Sequence, residues 1–163
     1  MEIKKRLNSR KLFVIVYCFC FAVYLLIGLS PAEATDYEAS TELAIPSINL
    51  QSEVTTVALG NTGLDTPGTI VGRYSRNPNK TLLFGHSSTV FHALDQVKIG
   101  DFILYDESNY RIINVETLEK SEVKMRSILA EEDVDTLVLM TCAGTLFDNG
   151  DATERLIVTA VKQ

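Results

Sequence analysis

The sequence TLVLMT, residues 136–141, gives the clearest indication of the fold, and Cys142 follows it directly. The run is apolar at nearly every position. It is also short for a helix, and both features are typical of a strand that is buried on both faces. We therefore predict a buried strand that ends at Cys142. A thiol at the junction of a rigid strand and a loop is a candidate reactive group.

Two further candidate residues lie at predicted strand boundaries on either side of this run. Upstream, the apolar run 81–85 predicts a second buried strand, and His86 follows it. Downstream, residues 143–153 are rich in Gly, Asp and Asn and predict a loop, and Arg155 begins the last predicted strand. If the two buried strands end side by side, His86 lies close to Cys142. The returning last strand can then place Arg155 beside them.

The region from 43 to 163 is predicted to be a single, mainly β domain. Short apolar or alternating runs predict strands along its whole length: 43–50, 54–59, 69–72, 81–85, 101–105, 110–118, 136–141 and 155–161. Helix-like spacing predicts one short helix over 90–97, and the charged, irregular segment 119–135 can hold another. About eight short strands with one or two short helices predict a closed or nearly closed β-barrel.

The N-terminal region predicts a membrane attachment. Residues 1–11 are basic, and residues 12–29 contain no charged side chain. As a helix, the second segment is about 27 Å long, close to the thickness of a bilayer's hydrocarbon core. We favour an uncleaved transmembrane helix with a cytoplasmic N-terminus and the domain outside. The alternative is a signal peptide cleaved near Ala32–Ala34, which would release a secreted protein. Residues 30–42 form a predicted polar linker.

Charge and cysteine content restrict the function of the exported part. Beyond Ala34 the chain carries ten basic and nineteen acidic residues, a net charge of about −9. This charge argues against nucleic acid as a partner and against direct binding to anionic lipid. Cys18 and Cys20 lie in the apolar segment, so Cys142 is alone in the exported domain. It cannot form a disulfide within that domain, and its thiol is either buried or kept for reactivity.

A thiol, an imidazole and a guanidinium together suit acyl transfer. At the ordinary cysteine pKa of about 8.5, only a few per cent of a thiol is ionised at neutral pH. A neighbouring His or Arg shifts that balance or carries the proton. An arginine also offers a permanent positive charge and a fork of N–H donors to a developing oxyanion. We therefore assign His86, Cys142 and Arg155 to one candidate catalytic site.

The order and spacing of several motifs resemble the sortase family over residues 43–162. The motifs are IPSINL at 45–50, FGHSS at 84–88, VFHALDQVKIGD at 90–101, LMTCAG at 139–144 and ERLIVTAV at 154–161. Sortases usually carry a TLxTC strand end, and residues 139–142 match its last four positions. Val138 stands where the first Thr of that pattern falls. We expect this change to be tolerated, since valine is isosteric with threonine.

The resemblance implies a closed eight-stranded barrel and cleavage of an LPXTG-like sorting signal between Thr and Gly. Cys142 would form the thioester, and His86 would protonate the leaving amine and deprotonate the incoming one. Arg155 would stabilise the substrate carbonyl or the oxyanion, and Thr141 would help to shape the site. The implied partners are exported proteins that carry sorting signals, together with an amine from a cell-wall peptide or a pilin.

Two other functions stay open. The same thioester could be released to water, which would make the chain a thiol protease. Alternatively, the barrel could bind an extracellular peptide without catalysis.

Several other polar residues have simpler explanations. His92 lies in the predicted helix and is expected at the surface. Arg73, Arg76, Arg111 and Arg126 are expected to be solvated. No cofactor is predicted. Calcium binding by the acidic residues of 119–135 is a minor alternative to a solvated acidic loop, since Ca²⁺ needs six to eight converging oxygens.

Overall fold

The structure is a computed structural model that describes residues 41–60, 63–148 and 151–163. Its elements are almost all β-strands. The strands are β1 (Thr41–Ile45), β2 (Leu50–Thr56), β3 (Leu59–Gly60), β4 (Gly63–Leu64), β5 (Val71–Asn77), β6 (Lys80–Phe84), β7 (Phe102–Tyr105), β8 (Ser108–Glu119), β9 (Thr136–Leu146) and β10 (Ala152–Lys162). The helical elements are one α-helical turn, α1 (Met125–Ile128), and two 3₁₀ turns, Pro46–Ile48 and Leu94–Gln96.

Within these described residues, eight strands close into a barrel in the order β1-β2-β5-β6-β9-β10-β8-β7. β7 pairs with β1 and so closes the ring. Strands β3 and β4 form a separate two-stranded pair. Most neighbours are antiparallel, but β2 pairs with β5 and β6 pairs with β9 in parallel. The predicted mainly β, closed eight-stranded barrel with few helices is confirmed.

The barrel interior is filled by side chains from all around the ring. The fully buried members include Leu43, Ile45, Leu83, Ile103, Ile112, Leu139 and Val158. Successive strand residues face opposite sides of a sheet, so each strand contributes every second residue to this core.

A second apolar cluster lies on the outer face of β6, β9 and β10. Its strand members are Leu82, Phe84, Val138 and Ile157, which alternate with the interior residues. Ile128 of α1 belongs to this cluster, so the segment between β8 and β9 packs against the outside of the barrel. The run 136–141 is therefore buried on both faces, as its continuous apolar sequence predicted.

The helix predicted over 90–97 is wrong. The segment forms consecutive turns that end in the 3₁₀ turn Leu94–Gln96. Four of its backbone N–H groups donate to the carbonyl three residues earlier, as Leu94 does to Phe91 at 3.1 Å. Phe91 and Leu94 are buried in the barrel core, so the apolar spacing marked the buried residues correctly.

The predicted segments 1–11, 12–29 and most of 30–42 lie outside the described residues, and so does the proposed transmembrane helix. Of the helices in the described ranges, none has the length and apolar character needed to span a bilayer.

Candidate functional site

Strand pairing brings the three predicted site residues to one level of the barrel. In the parallel pair of β6 and β9, Phe84 is opposite Met140. His86 and Cys142 each lie two residues further along the chain, His86 just beyond the end of β6 and Cys142 within β9. In the antiparallel pair of β9 and β10, Arg155 is directly opposite Cys142. Cys142 therefore has the histidine on one side and the arginine on the other.

Alternation places the thiol and the guanidinium on the outer face of the barrel. Leu139 points into the barrel core, whereas Val138 and Met140 belong to the outer cluster. Cys142 continues the outer set and is half-buried. Arg155 lies two residues before Ile157, which is also an outer residue, and has the same parity.

These residues line one groove of about 580 Å³ on the outer face. His86, Cys142 and Arg155 lie along it together with Thr141. The remaining wall is largely apolar and includes Leu59, Leu64, Tyr74, Phe84, Met125, Leu129 and Met140. A long groove with an apolar wall and a few polar groups is suited to an extended peptide.

Thr141 connects the thiol strand to the backbone that precedes the histidine. Its side chain is buried, and its hydroxyl donates a hydrogen bond of 2.8 Å to the carbonyl oxygen of Gly85. The backbone N–H of Gly85 in turn donates to the carbonyl of Met140 at 3.4 Å. Thr141 therefore fixes the position of the strand end that carries His86 relative to Cys142.

The Arg155 guanidinium is oriented by hydrogen bonds that it donates to residues 151–154. Its Nη1 donates to the carbonyls of Ala152 and Glu154 at 3.0 and 2.8 Å. Its Nη2 donates to Oδ1 of Asp151 at 2.8 Å. The side chain is only 15% exposed. A guanidinium has five N–H donors, so contacts within the described residues leave donors for a substrate oxygen.

Asp151 belongs to the site through Arg155. Lys120 also donates to its carboxylate, and the backbone N–H of Ala152 donates to Oδ1 at 2.9 Å. The hydrogen bonds from Lys120 and Arg155 hold the pKa of Asp151 well below its usual range. The carboxylate is therefore ionised at every pH at which the protein is expected to work.

The structure changes two details of the sequence prediction. Cys142 does not end its strand, because β9 continues to Leu146. Arg155 does not begin its strand, because β10 starts at Ala152. The predicted loop 143–153 is thus mostly a continuation of two paired strands, with a register shift between Ala152 and Glu154. Polar residues in a hairpin carry a weak strand signal, which explains the error.

His92 does not belong to the groove. Its side chain is exposed, and Nδ1 lies 2.9 Å from the carbonyl oxygen of Thr89. Two residues expected to be merely solvated do line the groove, namely Arg76 and Arg126. Both side chains are exposed, as expected, and both also line the groove. Asp151 was not singled out either, because its role depends on the pairing of β9 with β10.

The acidic residues proposed for calcium are dispersed. Glu132 accepts from Lys80 at 2.7 Å, and Asp135 pairs with Lys162 at 3.3 Å. In the ranges that the structure describes, no group of three His, Cys, Asp or Glu side chains converges as metal ligands would.

The fold and site together define a closed β-barrel with a thiol, an imidazole and a guanidinium along one outer groove. The chain belongs to the sortase family: the family model for the sortase domain matches residues 43–163. It is accordingly a sortase-type enzyme. No curated protein matches the chain significantly in sequence.

Solved sortase structures share the fold. Sortase C-3 from Streptococcus pneumoniae is 21% identical with a TM-score of 0.60, over 76% of this chain and 62% of that one. This chain thus spans less than two thirds of its length. Sortase C-1 from Actinomyces oris is 22% identical with a TM-score of 0.59, over 80% and 76% of the two chains. Sortase A from Listeria monocytogenes is 17% identical with a TM-score of 0.60, over 76% and 86%. The neighbours include classes A and C, and at these identities they support the barrel fold.

Proposed function

We propose that the chain is a cysteine transpeptidase that cleaves an LPXTG-like sorting signal between Thr and Gly and transfers the acyl part to an amine. The observation that carries this proposal is that His86, Cys142 and Arg155 line one groove, with Arg155 on β10 directly opposite Cys142 on β9. Membership of the sortase family supports the same chemistry.

In the first half of the reaction, the Cys142 thiolate attacks the carbonyl carbon of the substrate's Thr. The carbonyl π electrons move to oxygen, and the N–H groups of Arg155 stabilise the resulting oxyanion. Collapse of the tetrahedral intermediate breaks the Thr–Gly bond. His86 donates a proton to the leaving nitrogen, and the acyl part stays on Sγ as a thioester.

In the second half, an amine replaces the leaving group. His86, now neutral, takes a proton from the incoming ammonium or amine, whose nitrogen attacks the thioester carbonyl. A second oxyanion forms at the same place beside Arg155 and collapses to an amide. The thiolate of Cys142 is released, and His86 again holds the proton that it needs for the next cycle.

The groove beside Cys142 suits the acyl side of such a signal. Its wall beyond the thiol is formed by the side chains of Tyr74, Phe84, Met125 and Leu129 among others. The Leu and Pro of an LPXTG-like motif are apolar and match this wall. The Gly and the incoming amine then enter from the opposite side of the thiol.

The proposed enzyme is attached to a membrane and acts on other exported molecules. Residues 12–29 anchor the chain as a single transmembrane helix, with the barrel on the outer side of the membrane. The acyl donors are exported proteins with sorting signals, and the acceptor amine belongs to a cell-wall peptide or a pilin.

A thioester trap tests the function directly. The full-length protein is incubated with LPXTG-type peptides, with and without an added amine, and intact mass and products are measured. We expect an adduct with the mass of the acyl part, and an amide product when amine is present. Cys142→Ala should give neither. Product only with water, at every amine concentration, would make the chain a protease, and no adduct with any peptide would favour a binding module.

The chain offers a matched control for the histidine. His86→Ala should abolish turnover, whereas His92→Ala should leave it unchanged, because His92 lies outside the groove. Equal loss in both variants would show that the effect is not specific to the site.

A further inference from the structure

The groove that contains Cys142 is positively charged, although the chain is acidic. Its permanently charged lining residues are Arg76, Arg126 and Arg155, and no Asp or Glu is among the described residues that line it. The whole chain has a formal net charge of −6. A basic groove on an acidic protein favours an acidic ligand and disfavours a basic one.

Arg155 is already engaged by Asp151, but the other two arginines are available. Arg76 and Arg126 are exposed, and neither makes an ion pair or a side-chain hydrogen bond within the described residues. Such guanidinium groups can pair with a carboxylate through two parallel N–H donors. These two side chains can therefore add charge recognition to a groove whose wall is otherwise largely apolar.

Both arginines lie at the same end of the groove. Arg76 is near the end of β5, and Asn77 beside it donates a hydrogen bond of 2.8 Å to the carbonyl of Leu129. Leu129 directly follows α1, which carries Arg126. The side-chain bond thus joins the end of β5 to the turn after α1.

This end is remote from the thiol. Ser75 is opposite Thr81 in the pair of β5 and β6, and His86 lies five positions after Thr81. Five strand residues span about 17 Å. An extended peptide rises by about the same distance per residue, so its fifth residue, counting Thr as the first, lies four rises or about 14 Å from Thr. That residue stops about one rise short of the level of the arginines, a gap that a Glu side chain and a guanidinium can bridge.

We propose that Arg76 and Arg126 select sorting signals that carry an acidic residue directly before the Leu of the LPXTG-like motif. Counted back from the scissile bond, Thr, the variable residue, Pro and Leu occupy the first four positions. The residue before Leu is the fifth and reaches the two guanidinium groups. This specificity rests on the proposed transpeptidase function and assigns a substrate feature to the same groove.

Peptides that differ only in the presence and position of one carboxylate test this specificity. Three otherwise identical LPXTG-type peptides carry Glu before the Leu, Gln at that position, or Gln there with Glu at the variable position. kcat/KM is measured for the full-length protein, for Arg76→Gln, for Arg126→Gln and for the double variant. Arg111→Gln is the matched control, since Arg111 is an exposed arginine of β8 that lies over the ring of Phe102 on β7 and does not line the groove.

We expect the wild type to prefer the first peptide over the second by about three- to tenfold, the effect of one or two exposed ion pairs. In the double variant, the ratio of kcat/KM for the first peptide to that for the second should fall to about one. Each single variant should show a smaller decrease in this ratio, and Arg111→Gln should keep the wild-type ratio. Added salt should reduce it, because exposed charges are screened.

Three results would overturn the proposal. The first is equal kcat/KM for the first two peptides in the wild type. The second is a preference that survives in the double variant. The third is a stronger effect of Glu at the variable position. Absence of turnover and thioester with all three peptides would instead refute the transpeptidase function, and the specificity with it.

Discussion

At the scale of single residues, the arginine of the site is oriented before any substrate arrives. Three acceptors fix the guanidinium of Arg155: two carbonyls of its own strand and the carboxylate of Asp151, which directly precedes that strand. A donor that is already oriented stabilises an oxyanion without reorganisation during the reaction. Asp151 is therefore a positioning residue, since it acts through Arg155.

Asp151→Asn should reduce both activity and stability at neutral pH. We expect kcat/KM to fall by a factor of roughly two to five, because the variant loses the ion pairs of Asp151 with Arg155 and Lys120, both of which are partly exposed. The folded-state pKa of Asp151 is depressed, so its stabilising effect is complete above the unfolded-state pKa of about 3.9 and is lost as the pH falls through the folded-state value. The stability difference between wild type and variant should thus shrink below about pH 4. Urea unfolding at a series of pH values measures it.

Asp148→Asn is the control for charge in the same hairpin. Asp148 is exposed and makes no ion pair within the described part of the chain. Its replacement should leave kcat/KM and the acid limb of the stability curve unchanged. A stability difference for Asp151→Asn that stays constant down to pH 2 would contradict the ionic role of Asp151.

The sequence predicted that His86, Cys142 and Arg155 lie close together, but it did not predict the polar residues around them. His86, Cys142 and Arg155 could be found because each adjoins an apolar run, and buried strands leave an apolar pattern. Asp151 and Arg76 lie in polar stretches, where the sequence does not specify a partner. Their positions follow from strand register and from a side-chain contact, and both arise only in the folded chain.

At the scale of elements, a close approach between β6 and the turn after it sets the position of His86. A Cβ atom on Gly85 would lie 2.5 Å from Cγ1 of Val90 and 3.2 Å from Cδ2 of Phe91. Phe91 is buried in the barrel core and cannot withdraw easily. A glycine at position 85 thus lets the turn 87–90 fold back against the strand end.

Gly85→Ala should displace the turn and His86 with it. We expect a loss of about 1–3 kcal/mol in the free energy of unfolding from overpacking, together with a lower kcat. The double variant Gly85→Ala, Val90→Ala removes the nearest methyl group and should restore part of both. Gly68→Ala is the control, since its Cβ would meet nothing within 4 Å. Full activity and stability in Gly85→Ala would show that the approach is not required.

The type of an element was predictable where an apolar run was also short and bounded by polar residues. The runs 81–85 and 136–141 are apolar and bounded by polar residues, and both are strands. The segment 90–97 has the apolar spacing of a helix but needs only to bury Phe91, Leu94 and their neighbours beside β6. Burial alone does not distinguish a helix from a series of tight turns, and the tertiary contacts decided between them.

At the scale of the whole molecule, barrel closure makes the strands interdependent. The parallel pairs β2–β5 and β6–β9 join strands that are separated by long stretches of sequence. Local periodicity predicts individual strands but contains no information about such distant pairing. The strand number therefore suggested a barrel, whereas the order of the strands could be known only from the structure.

Leu139→Ala tests whether the barrel unfolds as one unit. Leu139 is fully buried in β9, which pairs with both β6 and β10, so truncation should cost about 2–5 kcal/mol. In a closed barrel no strand can leave alone, and urea transitions followed by far-UV circular dichroism and by tyrosine fluorescence should shift together. Leu146 on the same strand is 59% exposed, so Leu146→Ala should lower the free energy of unfolding by less than about 0.5 kcal/mol. Separate transitions in Leu139→Ala would mean that part of the barrel folds independently of β9.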